Sequence, residues 1–180
     1  MDILINKEKF NFTENDFPML IHGRCKTGAS HFSVCLAANL TKNNMKVIFF
    51  TAYPEAKDEF RKEINNDETN AIIINSGEEE VFIETLKNVP DLSERVILIK
   101  NIENYTSKLF EVVRRSKFVI FSGDMDKCEF VDELIKKDFN TKIFFSQLEK
   151  YPQDGLEDLL KYHGKIISKI HEGTISLDAG

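Results

Sequence analysis

The residues with the clearest potential for chemistry form one short segment that carries two glycines. It lies between an apolar run and a helical pattern, and it reads Gly23-Arg24-Cys25-Lys26-Thr27-Gly28-Ala29-Ser30. Phosphate-binding loops follow the pattern G-x-x-x-x-G-K-[ST] in the same strand-to-helix context. Both glycines and the Ser30 hydroxyl match this pattern, whereas Ala29 stands at the lysine position. We therefore predict a phosphate-binding loop that has lost its lysine.

Part of the chemistry of such a loop does not depend on the lysine. Glycines let backbone N–H groups converge into a nest that binds anions, and the dipole at the start of the following helix, predicted over His31–Asn43, adds positive potential. The missing ammonium would bridge the outer phosphates and stabilise charge during transfer. Arg24 and Lys26 are the candidates to replace it, although their spacing is not the usual one. The alternative is a glycine-bearing turn that binds nothing.

Six apolar runs that favour strands recur along the chain, with helical patterns between them. Their starts lie roughly 22 to 29 residues apart, which is typical of strand–helix units in a parallel sheet. Several runs are continuously apolar, as expected for strands covered on both faces. The predicted strands are Phe17–Ile21, Lys46–Thr51, Ala71–Asn75, Arg95–Ile99, Lys117–Ser122 and Lys142–Ser146.

Start signals predict the helices between these strands. Pro54 suits a first helical turn, and Thr106 is a helix-capping residue. Capping-box patterns also occur, in which a hydroxyl or carboxylate residue is followed three positions later by glutamate. These pairs are Ser76 with Glu79, and Asp126 with Glu129.

The C-terminal segment predicts a change from parallel to antiparallel pairing. Asp154–Tyr162 has the pattern of a short helix, and Lys165–His171 and Thr174–Leu177 flank the turn signal Glu172-Gly173. The whole chain therefore predicts an α/β fold: a three-layer parallel β-sheet flanked by helices, with a C-terminal antiparallel hairpin. We find no internal boundary and predict a single domain over residues 1–180.

Composition excludes several classes of function. The net charge of −6 disfavours nucleic acid as a ligand, because phosphate backbones require clustered basic residues. No apolar run reaches the ~18 residues of a membrane span, and Met1–Phe12 is too charged for a signal peptide. We predict a cytoplasmic protein with no membrane contact.

The cysteines and histidines give no metal or disulfide signal. Three cysteines, Cys25, Cys35 and Cys128, are scattered without CxxC spacing, so neither a disulfide framework nor a zinc site is indicated. His22 and His31 lie near Cys25, but their spacing matches no standard metal site. We predict no metal ligands.

The loop, the strand order and the terminal hairpin resemble the RecA-like branch of P-loop NTPases, including its KaiC-type members. The segment Val47–Glu55 is also similar to the strand that follows the loop helix in that family. In that family the end of this strand commonly supplies a glutamate that activates water. Tyr53 occupies approximately that position, and Glu55 already lies on the predicted helix.

The resemblance also implies an aspartate that closes an apolar strand and helps to hold magnesium. The strand Val96–Ile99 is followed by Lys100, whose charge would repel the metal. Glu103 is too far along the chain to replace the aspartate, and Asp124 is the remaining acidic candidate, though it also suits a turn or cap. With the lysine, aspartate and glutamate all missing, we expect no catalytic residues and poor retention of magnesium.

Three functions remain open. The first is a catalytically inactive RecA-like ATPase homologue that acts as an interaction or regulatory protein, in an assembly with itself or a partner. The second is a nucleotide-binding protein or slow NTPase that uses Lys26 or Arg24 in place of the loop lysine and holds ATP or ADP weakly. The third is an unrelated Rossmann- or flavodoxin-like enzyme, which is disfavoured because no G-x-G-x-x-G pattern follows a strand.

Overall fold

The computed structural model describes residues 2–5, 8–149, 152, 156, 163–169 and 172–176, with backbone alone at 2–5, 8–11 and 172–176. The strands are β1 (Asp2–Ile5), β2 (Glu8–Asn11), β3 (Met19–His22), β4 (Val47–Thr51), β5 (Ala71–Ile73), β6 (Val96–Lys100), β7 (Val119–Gly123), β8 (Thr141–Phe144), β9 (His163–Ser168) and β10 (Glu172–Ser176). The α-helices are α1 (Ala29–Lys42), α2 (Pro54–Glu63), α3 (Glu79–Asn88), α4 (Ser107–Val113) and α5 (Val131–Lys136).

Eight of the described strands form one sheet in the order β10-β9-β8-β3-β7-β6-β4-β5. The six strands from β8 to β5 in this order are parallel, and they are the six that the apolar runs predict. β9 and β10 add antiparallel strands at one edge, which confirms the C-terminal hairpin. β1 and β2 form a separate antiparallel pair.

Apolar side chains cover both faces of the sheet and form two cores. One core contains α1 and α2, and the other contains α3, α4 and α5. Successive residues of a strand point to opposite faces, so β4 serves both cores. Phe49 stacks on Phe60 of α2 with ring centroids 4.4 Å apart, and Phe50 stacks on Phe82 of α3 at 4.2 Å. The three-layer α/β prediction is confirmed.

Two of the predicted helix starts are correct and one capping box is wrong. α2 begins at Pro54, and the Thr106 side chain accepts a hydrogen bond from the Lys108 N–H at the start of α4. α3 begins at Glu79 rather than after a Ser76 cap. The Glu79 carboxylate instead accepts hydrogen bonds from the Thr106 N–H and hydroxyl, at 2.8 and 2.7 Å. A tertiary contact between two helix starts has replaced the local box.

The second capping box and the hairpin turn also need correction. α5 begins at Val131, well after Asp126, whose carboxylate binds Arg24 and the Glu149 N–H instead. Glu172-Gly173 is not the hairpin turn, because both residues lie on β10 and pair with β9. The predicted helix Asp154–Tyr162 lies outside the described residues. Within the described part of the chain, no helix has the length and apolarity to span a membrane.

Candidate functional site

The C-terminal ends of β3, β4, β6 and β7 meet at one edge of the sheet and open into a cleft of about 690 Å³. Parallel strands place their carboxyl ends on the same side, where open α/β sheets bind ligands. The lining comes from four segments: the loop after β3, the start of α2, the turn after β6 and the turn after β7.

The predicted loop has the geometry of a strand-to-helix turn in which both glycines are required. Gly28 has φ +100°, a left-handed conformation that favours glycine, and it caps α1 at its first residue, Ala29. A Cβ on Gly23 would lie 2.4 Å from the Ala29 Cβ, so the two segments approach too closely for any side chain there. Sequence spacing therefore identified two positions that the fold restricts to glycine.

The loop leaves several backbone donors unused. Phe32 N–H donates to the Gly28 carbonyl at 2.9 Å and closes the first turn of α1. The preceding N–H groups have no hydrogen-bond acceptor among the described residues; they belong to Cys25, Lys26, Gly28, Ala29 and Ser30. Unused donors at a helix start favour an anion. The loop therefore keeps the lysine-independent part of a phosphate site.

Seven of the eight predicted loop residues line the cleft. The exception is Thr27, whose hydroxyl donates to the Arg24 carbonyl at 2.8 Å and holds the turn together. Ala29 lines the cleft at the lysine position but is only 3% exposed. The role of this segment in binding phosphate stays a prediction.

Lys100 lies across the cleft from the loop, at the end of β6. It is 3% exposed, and its Nζ donates to the Asn101 Oδ1 at 3.2 Å. Burial lowers its pKa, against the opposing effects of the Glu59 and Glu103 carboxylates. Yet no carboxylate oxygen of the described residues lies within the 4.0 Å of an ion pair with its Nζ. The strand that should end in an acid ends in a buried cation.

Solved structures resemble the chain over most of its length, although no family model and no curated protein matches its sequence. The ATPase domain of a DnaB-like helicase is 12% identical, with a TM-score of 0.51, over 91% of this chain and 81% of that one. The flagellar accessory protein FlaH from Methanocaldococcus jannaschii is 15% identical, also with a TM-score of 0.51, over 87% of this chain and 88% of that one. The chain has the RecA-like P-loop fold. At these identities the likeness establishes the fold alone.

Of the two basic residues in the RecA-like loop, one is already occupied. The Arg24 guanidinium lies 3.2 Å from the Asp126 Oδ2, 2.9 Å from the Glu149 Oε1 and 3.3 Å from the Gln147 carbonyl. Lys26 is exposed and has no ion pair within the described part of the chain. Lys26 is therefore the more available substitute for the missing lysine.

The remaining acidic candidates are both brought to the cleft. The short turn Ile102–Asn104 carries Glu103 back to it, where the Glu103 Oε2 accepts the Asp124 N–H at 3.0 Å. The Asp124 Oδ2 pairs with the Lys127 Nζ at 3.1 Å. Its Oδ1 is buried and lacks a hydrogen-bond partner among the described residues. Asp124 makes no side-chain capping bond, so the simple cap interpretation fails.

The end of β4 provides no water-activating acid at the expected position. Tyr53 lines the cleft and is 46% exposed, whereas Glu55 lies on α2 and does not line it. Glu59, one helical turn further along, does line the cleft, but its Oε1 lies 2.7 Å from the His31 Nδ1. The spacing of four residues from Glu55 could have identified Glu59, since i and i+4 share a helix face.

His31 also contacts Cys35, but the pair lacks the geometry of a catalytic thiol and its base. The Cys35 sulfur lies 3.4 Å from the Nε2 and 3.9 Å from the Nδ1. Because these distances are nearly equal, the sulfur lies beside the ring rather than in line with a ring N–H. The Cys35 contact and the Glu59 carboxylate together raise the pKa of His31 to about 10. We interpret His31 as a charged partner of Glu59.

His22 joins the elements below the loop. Its Nδ1 accepts the Met125 N–H at 3.1 Å, so the Nε2 carries the proton and faces the Ser146 Oγ at 3.0 Å. The Ser146 Oγ in turn accepts the Arg24 N–H at 3.2 Å. His22 groups with Asp124 and Asp126 closely enough for a metal, but it has no free nitrogen lone pair to offer. Its role is to support the loop.

Proposed function

We propose that the protein is a catalytically inactive RecA-like ATPase homologue that acts as an interaction or regulatory protein, in an assembly with itself or a partner. The observation that carries the proposal is the buried Lys100 ammonium at the end of β6. Hydrolysis of ATP in this fold class relies on a metal held beside the outer phosphates. A buried cation at that position repels the metal, because charges interact strongly where water is excluded.

Two further positions support loss of hydrolysis. Ala29 has no ammonium with which to stabilise the transferred phosphoryl group, and Tyr53 has no carboxylate with which to activate water. Glu59, the nearest acid on α2, is held by His31. The fold is kept without its chemistry, and site chemistry rather than the fold determines activity.

The free edge of β5 supports an assembly role. Within the described part of the chain β5 pairs only with β4, so its other edge is open to another strand. Beside it, a shallow apolar concavity is lined by Ile72, Val81, Val89 and Pro90 among others. Val81 is 40% exposed. Strand pairing along β5, with apolar side chains covered beside it, is the contact that we propose.

We expect no magnesium-dependent ATP turnover by the purified protein above the rate without protein. Phosphate release should be followed over hours, with Ser30→Ala as the matched control, since Ser30 is at the hydroxyl position of the loop. Turnover that scales with protein concentration and disappears in Ser30→Ala would contradict the proposed inactivity.

Assembly should be measured separately, by sedimentation velocity and by cross-linking of tagged protein. We expect Val81→Asp to weaken association about tenfold or more, because it buries a charge at an apolar contact. Val112→Asp is the control, because Val112 is a similarly exposed valine on α4 outside this surface. A stable monomer that captures no partner would argue against the proposal.

Nucleotide binding is the second candidate, favoured by the unused loop donors and the exposed Lys26. If Lys26 replaces the missing lysine, Lys26→Ala should lower the affinity for ADP about fivefold, because an exposed charge–phosphate contact is worth about 1 kcal/mol. Isothermal titration calorimetry measures this directly, and Lys62→Ala, on α2 outside the cleft lining, is the control. Equal affinities in all three proteins would exclude Lys26 as the substitute.

A further inference from the structure

Lys100 carries a buried charge that the described residues do not neutralise. Its one described hydrogen bond goes to the Asn101 Oδ1, and that oxygen already accepts the Thr51 hydroxyl at 2.9 Å. An ammonium can donate three hydrogen bonds, so most of its capacity is unused. A buried charge without an opposite charge or full hydrogen bonding is strongly unfavourable. Within the described structure, Lys100 lacks a counter-anion.

The acidic groups nearest to Lys100 have other partners. Glu59 is paired with His31, and the Glu103 carboxylate accepts the Asp124 N–H. Asp124 itself is paired with Lys127. These contacts hold the acids away from ion-pair distance of the Lys100 ammonium. They leave space in the cleft for an anion from outside the chain.

The opposite wall of the same cleft presents a second set of unsatisfied groups. The loop between Gly23 and Ser30 has five unused N–H donors at the start of a 14-residue helix. Loop donors and Lys100 line one cavity. One extended anion would satisfy both walls, and linked phosphates have the required charge and length.

We propose that Lys100 serves as a built-in replacement for the metal ion, so that the cleft binds a di- or triphosphate group without magnesium. The loop N–H groups hold one end of the group, and the Lys100 ammonium holds the oxygens that a divalent cation would otherwise neutralise. This inference rests on the proposed function only in placing the site in the same cleft. It adds the chemical class of the ligand and its independence of metal.

The test is calorimetry with pyrophosphate, ADP and ATP, each in EDTA and in magnesium. The natural protein should bind at least one of the three as tightly in EDTA as in magnesium. Lys100→Met, which keeps the length but not the charge, should weaken binding in EDTA about 30-fold or more. Lys100→Arg should keep metal-independent binding. Lys100→Asp should bind only in magnesium.

A control separates binding from the general effect of removing a buried lysine. Lys57 is 4% exposed and donates to the Asn75 carbonyl at 2.6 Å, outside the cleft lining. Lys57→Met should lower stability and leave phosphate affinity unchanged. Lys100→Met should raise the melting temperature of the ligand-free protein while it weakens binding. A merely structural lysine would not give these opposite signs.

Each outcome bears on the proposal. Binding of pyrophosphate supports a site for free phosphates, and binding of nucleotides alone supports a site that also holds the nucleoside. No binding in EDTA, or equal affinity in Lys100→Met, overturns the inference. That failure would leave the inactive, partner-binding function standing, whereas ATP turnover would overturn the proposed function whatever Lys100 does.

Discussion

Gly23→Ala is expected to lower the free energy of unfolding by about 3 kcal/mol, near the upper end for overpacking at a tightly packed position. The added Cβ would lie 2.4 Å from the Ala29 Cβ, 2.6 Å from the Thr27 Oγ1 and 3.0 Å from the Phe145 Cβ. None of these atoms is the far end of a flexible side chain. The backbone must therefore shift, and the unused loop donors shift with it.

A second substitution tests whether this clash is the cause. Ala29→Gly removes the closest contact, so the double variant Gly23→Ala/Ala29→Gly should recover part of the loss seen in Gly23→Ala. Gly164→Ala is the matched control, because its new Cβ would meet only Phe145 ring atoms, at 3.0 to 3.2 Å. Urea unfolding of the four variants gives the comparison. Equal losses in Gly23→Ala and Gly164→Ala would contradict the close approach at the loop.

The fold could be predicted from the sequence because its signals are local. Strands buried on both faces need continuous apolar runs, and the strand-to-helix loop needs glycine at two fixed positions. β4 and β6 illustrate the first signal, and Gly23 with Gly28 the second. Each signal lies within a few residues, so no knowledge of the tertiary structure is required.

The features of the site that the sequence missed depend on distant partners. Arg24 is a cation within the loop pattern, yet its guanidinium is held by Asp126 and Glu149, more than a hundred residues along the chain. Glu79 fits a local capping box, yet it bonds to Thr106 on another helix. Local propensity competes with tertiary contacts, and at these positions the tertiary contact is the stronger.

The sequence did reveal a lysine at the end of β6, but not the meaning of its burial. Read locally, Lys100 is only a missing aspartate. In the structure it lies in the same cleft as Ala29, so the cleft has lost a cation at the helix start and gained one at the strand end. A lysine that merely disabled the metal site would be expected to reach solvent, since long charged side chains usually do so. Lys100 is buried and lines the cleft instead.

His22 should make the protein less stable in mild acid. Burial lowers its pKa below the usual 6.5, against the opposing charges of Asp126 and Asp124. The unfolded chain therefore takes up a proton near pH 6.5, whereas the folded protein does so only at lower pH. Stability is fully present above pH 6.5 and falls below it, by up to about 1.4 kcal/mol per pH unit. Between pH 6.5 and 5 the loss reaches about 2 kcal/mol.

His22→Gln should remove this slope, because an amide can accept the Met125 N–H and donate to Ser146 without titrating. His31→Gln is the control: the raised pKa of His31, about 10, gives stability that is present below pH 6.5 and is lost only as the pH rises toward 10. Urea unfolding at pH 5 to 7 excludes most carboxylates, which titrate near pH 4. If the slope persists in His22→Gln, or disappears in His31→Gln, a neutral His22 cannot be what holds Met125 and Ser146 beneath the loop.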